Sequence, residues 1–199
     1  MHVCFDTVLN ADAVEFCPVK GLRDLLICGT YQLKESDVGR GRAEDQTRLG
    51  RLFALSVCQN YEQDQDLQEE CGGSLYLEVP PSSQFSLTKN CELDCCGVFD
   101  IKFRTTPFSD GALLGHAAAD GFLYTYKVAN CDGNCKGSAI TPLSSIDCRR
   151  SPEDTSALAL SLDWGDRIHA TASSPAAAIS LSDGSLCVVD MREDGALEV

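Results

Sequence analysis

Three histidines, His2, His116 and His169, and twelve cysteines are the residues of this 199-residue chain best suited to acid–base or nucleophilic chemistry. So few histidines restrict any Ser–His or Cys–His scheme, because the nucleophile needs a base within hydrogen-bond reach. His116 stands in Leu114-Gly115-His116-Ala117, a short apolar run that reads as a strand. There it serves either as a site group or as a hydrogen-bonded core histidine. His2 at the terminus and His169 in an Ala/Ser-rich stretch read as exposed. Gly133-Asn134-Cys135-Lys136-Gly137 has the Gly-x-Cys-x-Gly form of a nucleophile elbow. That motif needs a strand turning sharply into a helix, and no helical pattern follows. Cys91, Cys95 and Cys96 with Cys131 and Cys135 supply enough thiols for a four-thiolate zinc site. Their spacing departs from the usual C-x2-C and no histidine is near, so no metal is expected.

The elements that must position these groups are strands. Short apolar runs are punctuated by Gly, Asp, Asn and Pro, with few helical patterns, so the chain reads as all-β. Three copies of one unit align. The first is Ala13–Pro18, Leu25–Tyr31 and Gly50–Ser56; the second is Gly97–Phe103, Ala112–Ala117 and Phe122–Tyr126; the third is Ala159–Trp164, Ala177–Leu181 and Ser185–Asp190. Phe16, Phe103 and Trp164 close the first strand of each copy and are expected in the core. Asp120-Gly121 and Asp183-Gly184 join apolar strands, which predicts type I′ hairpins with positive φ at both positions. Spacings above the usual propeller blade length point to blades with insertions, near residues 32–49 and 60–72. An outer strand of the second unit is expected near Ala139 to Ile146.

Thirty acidic against sixteen basic residues give a net charge of −14, which opposes binding to nucleic-acid phosphates. No apolar stretch reaches the roughly 20 residues of a membrane span, and residues 1–20 lack the basic start and apolar run of a signal peptide. A cytoplasmic protein with mostly reduced thiols is the expectation.

Ala11-Asp12-Ala13-Val14-Glu15-Phe16-Cys17-Pro18, followed by Leu25-Leu26-Ile27-Cys28-Gly29-Thr30-Tyr31-Gln32-Leu33, resembles the opening blade of the WD-repeat diphthine methyl ester hydrolases of the diphthamide pathway. Arg48–Phe53, Val98–Phe103 and Leu158–Trp164 are similar to later segments of that family, in the same order, so the resemblance covers about residues 5 to 190.

The resemblance implies a partial WD40-type β-propeller, about three blades of a seven-bladed ring. The blades are expected at about 11–80, 97–147 and 157–199, with Val3 to Leu9 as a closure strand and the chain as an N-terminal portion. It implies hydrolysis of the methyl ester of diphthine methyl ester on the modified histidine of elongation factor 2, with no cofactor. The alternatives are a non-catalytic scaffold for protein partners and an inactive truncated form. Among residues matching the family's motifs, Glu15 could activate water, and Tyr31 or Thr30 could hydrogen-bond a carbonyl oxygen; His116 is the third candidate, beside Glu15 and Tyr31. Aromatic side chains in an acidic protein would also suit the trimethylammonium group of such a substrate.

Overall fold

The computed structural model describes residues 2–34, 47–61, 83–130, 137–165, 176–192 and 196–198. His169, Cys131, Cys135 and most of the two expected insertions, including the acidic run 62–70, lie outside the described residues.

The described residues form three four-stranded antiparallel sheets. The first holds β1 (Asn10–Phe16), β2 (Leu25–Lys34), β3 (Thr47–Tyr61) and β4 (Ser83–Cys96) in that order. The second holds β5 (Val98–Phe103), β6 (Ala112–Ala118), β7 (Phe122–Asn130) and β8 (Ser138–Asp147). The third holds β9 (Ala159–Trp164), β10 (Ala176–Leu181), β11 (Leu186–Met191) and β12 (Leu197–Glu198). In each sheet the strands follow chain order, and β1 packs beside β5 as β5 packs beside β9. Consecutive meanders stacked through their inner strands make a partial WD40-type propeller, and the described residues do not close a ring.

The first sheet extends to Cys96, past the expected bound at residue 80, because β4 pairs with β3 along its whole length from Tyr61↔Ser83 to Leu49↔Cys96. The sequence Ser83–Cys96 is polar and alternates poorly, which hid this strand. Residues 2–9 are irregular instead of extended in a ladder, and Phe5 instead packs edge-on against Phe53, with ring centroids 5.4 Å apart.

Burial explains the sequence pattern. β6 is buried at every position because sheets cover both of its faces, so Ala112-Leu113-Leu114-Gly115-His116-Ala117-Ala118 reads as a continuous apolar run. One core lies between the first two blades around Ile27, Leu52, Ile101 and Phe103; the other lies between the second and third around Leu113, Leu123, Leu162 and Trp164. Gly115 lets the third blade approach: a Cβ there would stand 2.9 Å from both Leu162 Cδ1 and Trp164 Cζ2. Phe103 and Trp164 are fully buried as expected, but Phe16 is 53% exposed. Its side of β1 faces away from the second blade, and no described sheet covers it.

The Asp-Gly hairpins differ from the expected type. Gly121 and Gly184 have φ of +83° and +84°, but neither aspartate has positive φ. The Gly121 amide donates to the Ala118 carbonyl, and the Gly184 amide donates to the Leu181 carbonyl, both at 3.1 Å. Each loop is therefore three residues long, with glycine alone in the left-handed position, the alternative to a two-residue I′ loop. The aspartates instead accept the amide two residues on, Phe122 N–H on Asp120 at 3.2 Å and Ser185 N–H on Asp183 at 2.9 Å.

Candidate functional site at the first blade junction

Glu15, on β1, reaches across the junction between blades. Its Oε2 accepts the Phe103 amide of β5 at 2.6 Å. The next junction repeats the device: Asp100 Oδ2 on β5 accepts the Leu162 amide at 3.0 Å and the Ser161 hydroxyl at 2.8 Å from β9, while Trp164 Nε1–H donates to the Lys102 carbonyl at 2.9 Å. These inner strands are not hydrogen-bonded to each other as a sheet, so each carboxylate supplies an acceptor for an amide of the following blade. Glu15 is thus engaged structurally at one end of the junction.

Thr30 is buried, and its Oγ1 both accepts the Arg51 amide at 2.8 Å and lies 3.2 Å from the Arg51 carbonyl. That locks β2 to β3 and turns the hydroxyl away from solvent. Tyr31, half-buried, stacks on Phe99 with centroids 4.9 Å apart. Gly97 makes room for it, since a Cβ on Gly97 would stand 2.7 Å from Tyr31 Cδ2.

His116 lies at the same end of the junction as Tyr31. It is directly opposite Tyr124 in the β6–β7 ladder, and its ring stacks near those of Tyr124 and Tyr126, with centroids at 5.6 and 6.1 Å. Nδ1 lies 3.3 Å from the Tyr126 hydroxyl, whereas Nε2 has no hydrogen-bond partner among the described residues. The ring is fully buried, and desolvation lowers its pKa from 6.5 to about 4, although the Gly97 backbone and the Asp120 carboxylate pull the other way. The neutral imidazole is therefore the resting form, and among the described residues no hydroxyl other than the phenol of Tyr126 bonds to it.

Around the histidine the structure gathers groups that sequence reasoning did not single out as site residues. Tyr124 donates its hydroxyl proton to Asp120 Oδ2 at 2.7 Å. Burial first, then Asp120, pushes the Tyr124 phenol above its usual range, and burial does the same for Tyr126. Cys95 and Cys96 at the end of β4 are both pushed up to about 12, chiefly by burial. Cys96 donates weakly to the Arg48 carbonyl at 3.8 Å. Phe122, Tyr124 and Tyr126 alternate along β7 and so share a face; that alternation of aromatics was the available signal. Arg149 extends the file, standing 5.2 Å over the Phe122 ring.

Tyr31 and His116 thus come to the same end of the junction, while Glu15 engages its other end. His2 is exposed in the irregular N-terminal segment. Among the described residues no group of three or more His, Cys, Asp or Glu is arranged to hold a metal ion, and no helix is long and apolar enough to cross a membrane. The assembled cluster is a neutral, protonated network of imidazole, phenols and thiols around one carboxylate, suited to holding two blades and their hairpin in register.

No family model matches the chain. Comparison with curated proteins finds the mouse protein named diphthine methyltransferase, 34% identical over 161 residues, and the human protein of that name, 33% identical over 168 residues. Each match spans 80% of this chain, but only 28% of the mouse protein and 31% of the human one.

Proposed function

We propose that this chain, a homologue of the mouse and human diphthine methyltransferases over most of its length, acts in diphthamide biosynthesis by hydrolysing the methyl ester of diphthine methyl ester on elongation factor 2. The observation that carries the reading is the identity of 33–34% across 80% of the chain. The repeats aligned in the sequence fall within three successive blades, which suits a shared architecture.

Ester hydrolysis requires a water made nucleophilic and donors for the oxyanion of the tetrahedral intermediate. Of the candidate residues, Tyr31 is the one we assign to the substrate. Its ring is half-open, is backed by Phe99 and lies on a strongly acidic protein, an environment favourable to a cationic side chain. Glu15 and His116 act in this reading as supports for the blade junction, because the Glu15 carboxylate already holds the Phe103 amide and the imidazole is buried.

The test is incubation of the chain with elongation factor 2 carrying the methylated intermediate, with the human relative in parallel, followed by mass spectrometry of the modified peptide. Loss of the ester methyl group with release of methanol is the expected result. An intact ester after prolonged incubation, under conditions where the human protein removes it, refutes catalysis by this chain. A second reading is a scaffold that binds elongation factor 2 without turnover. It is favoured by the engagement of Glu15 and His116 in the blade junction, and stoichiometric binding with an unchanged ester would select it.

A further inference from the structure

The groove between the second and third blades holds chemistry that the proposed function leaves unused. A cavity of about 460 Å³ opens there, with Asp147, Cys148 and Arg149 at the end of β8 on one side and Leu186, Cys187 and Val188 on β11 on the other. Cys148 follows β8, and its amide is anchored at 3.1 Å to the Gly121 carbonyl in the hairpin of its own blade. Cys187 sits in β11 opposite Ile179 of β10. Both side chains line this cavity, and Cys187 packs against the buried cluster that contains Cys148, whose thiol donates to the Ile146 carbonyl at 3.7 Å. Both are free thiols; Cys148 is only 4% exposed, while Cys187 is half-buried at the groove. Other close cysteines lack this arrangement. Cys95 and Cys96 are sequence neighbours on β4, so a bond between them would join no two blades.

We propose that Cys148 and Cys187 form a reversible disulfide that staples the second blade to the third, with a small-molecule disulfide such as oxidised glutathione as the oxidant. Cys187, on the open side, loses its proton to solvent and attacks one sulfur of the oxidant. That sulfur–sulfur bond breaks, and one small thiol leaves. Cys148 then loses its proton and attacks the Cys187 sulfur of the mixed disulfide, expelling the second small thiol. Two protein thiols are oxidised to one disulfide, and one small disulfide is reduced to two thiols. Cys148 is unsuited to the first attack, because burial foremost, and then the neighbouring Cys187, push its thiol up to about 12. Arg149 does little to counter this, since its guanidinium is committed to Asp147 through bonds of 2.7 and 2.8 Å.

The bridge would close a loop of about forty residues between consecutive blades, which in the chain-entropy account lowers the unfolding equilibrium constant by on the order of a hundredfold to a thousandfold. The test equilibrates the folded, reduced chain in glutathione buffers of increasing oxidation, alkylates the remaining thiols and maps peptides without reduction. The expected result is a linked Cys148–Cys187 peptide that disappears on return to reducing buffer, with a higher thermal midpoint for the oxidised chain. In Cys148→Ser, Cys187 accumulates as the glutathione mixed disulfide; in Cys187→Ser, Cys148 stays unmodified until the chain is unfolded. The proposal is overturned if Cys148 and Cys187 remain separate thiols while other cysteines oxidise, or if Cys148 reacts before Cys187. A linked peptide without any gain in thermal midpoint also overturns the staple.

Discussion

Acidification should destabilise this protein through His116, and replacing that histidine by phenylalanine should remove that loss. The ring is buried in neutral form with a pKa of about 4, against 6.5 when exposed. The unfolded chain therefore binds the extra proton first, so stability is intact above pH 6.5 and declines as pH falls from 6.5 toward 4. At 1.36 kcal/mol per unit, the full difference is worth about 3 kcal/mol, of which about 2 kcal/mol is already lost near pH 5. His116→Phe keeps a ring opposite Tyr124 but abolishes this titration. At pH 8 it loses the 3.3 Å contact between Nδ1 and the Tyr126 hydroxyl, while removing the orphaned Nε2. These effects oppose each other, each on the order of 1 kcal/mol, so the variant should lie close to the wild type. Near pH 5 the variant becomes the more stable protein by about 2 kcal/mol. Urea denaturation of both proteins from pH 4.5 to 8 measures the difference, and contributions from carboxylates remote from His116 cancel in it. Parallel stability curves across that range, or a His116 C2–H resonance titrating near 6.5 in the folded state, would refute the reasoning.

Three further outcomes are expected. Asp100→Ala strips the acceptor from the Leu162 amide and Ser161 hydroxyl at the second blade junction, which should cost about 1.5–3 kcal/mol in denaturant titration; an unchanged midpoint would show that the inter-blade carboxylates carry no stability. Gly115→Ala places a Cβ against Leu162 and Trp164 and should destabilise by about 1–3 kcal/mol, with a shift in the fluorescence of the single tryptophan as the third blade is pushed away. The two hairpin glycines should separate: Gly184→Ala meets open space and bears only the left-handed backbone cost of about 1–2 kcal/mol, whereas Gly121→Ala also drives a Cβ to 2.7 Å from the Ala157 carbonyl and should lower the thermal midpoint further. Equal losses at the two positions would mean that packing around Gly121 yields freely.

Why the two hairpins differ illustrates where sequence reading stops. Asp120-Gly121 and Asp183-Gly184 are the same dipeptide between apolar strands, so local chemistry places both hairpins correctly. The chain path around them gives glycine alone the positive φ, and a neighbouring segment crowds one glycine but not the other. Long-range pairing likewise decides β4, whose polar sequence is a strand because β3 offers it a full ladder.

The amino-acid sequence by itself determined that the chain is all-β, that one unit recurs three times, and that Phe103 and Trp164 are interior residues. Alternation and turn chemistry act over a few residues and are legible without a fold. The roles of Glu15, Tyr31 and His116 were decided only by tertiary structure. Whether a carboxylate is open or bonded to the amide of another blade depends on residues far away in sequence, as with Glu15 and Phe103. The same is true of an imidazole's solvent access and of whether two thiols 39 positions apart, Cys148 and Cys187, meet in one groove.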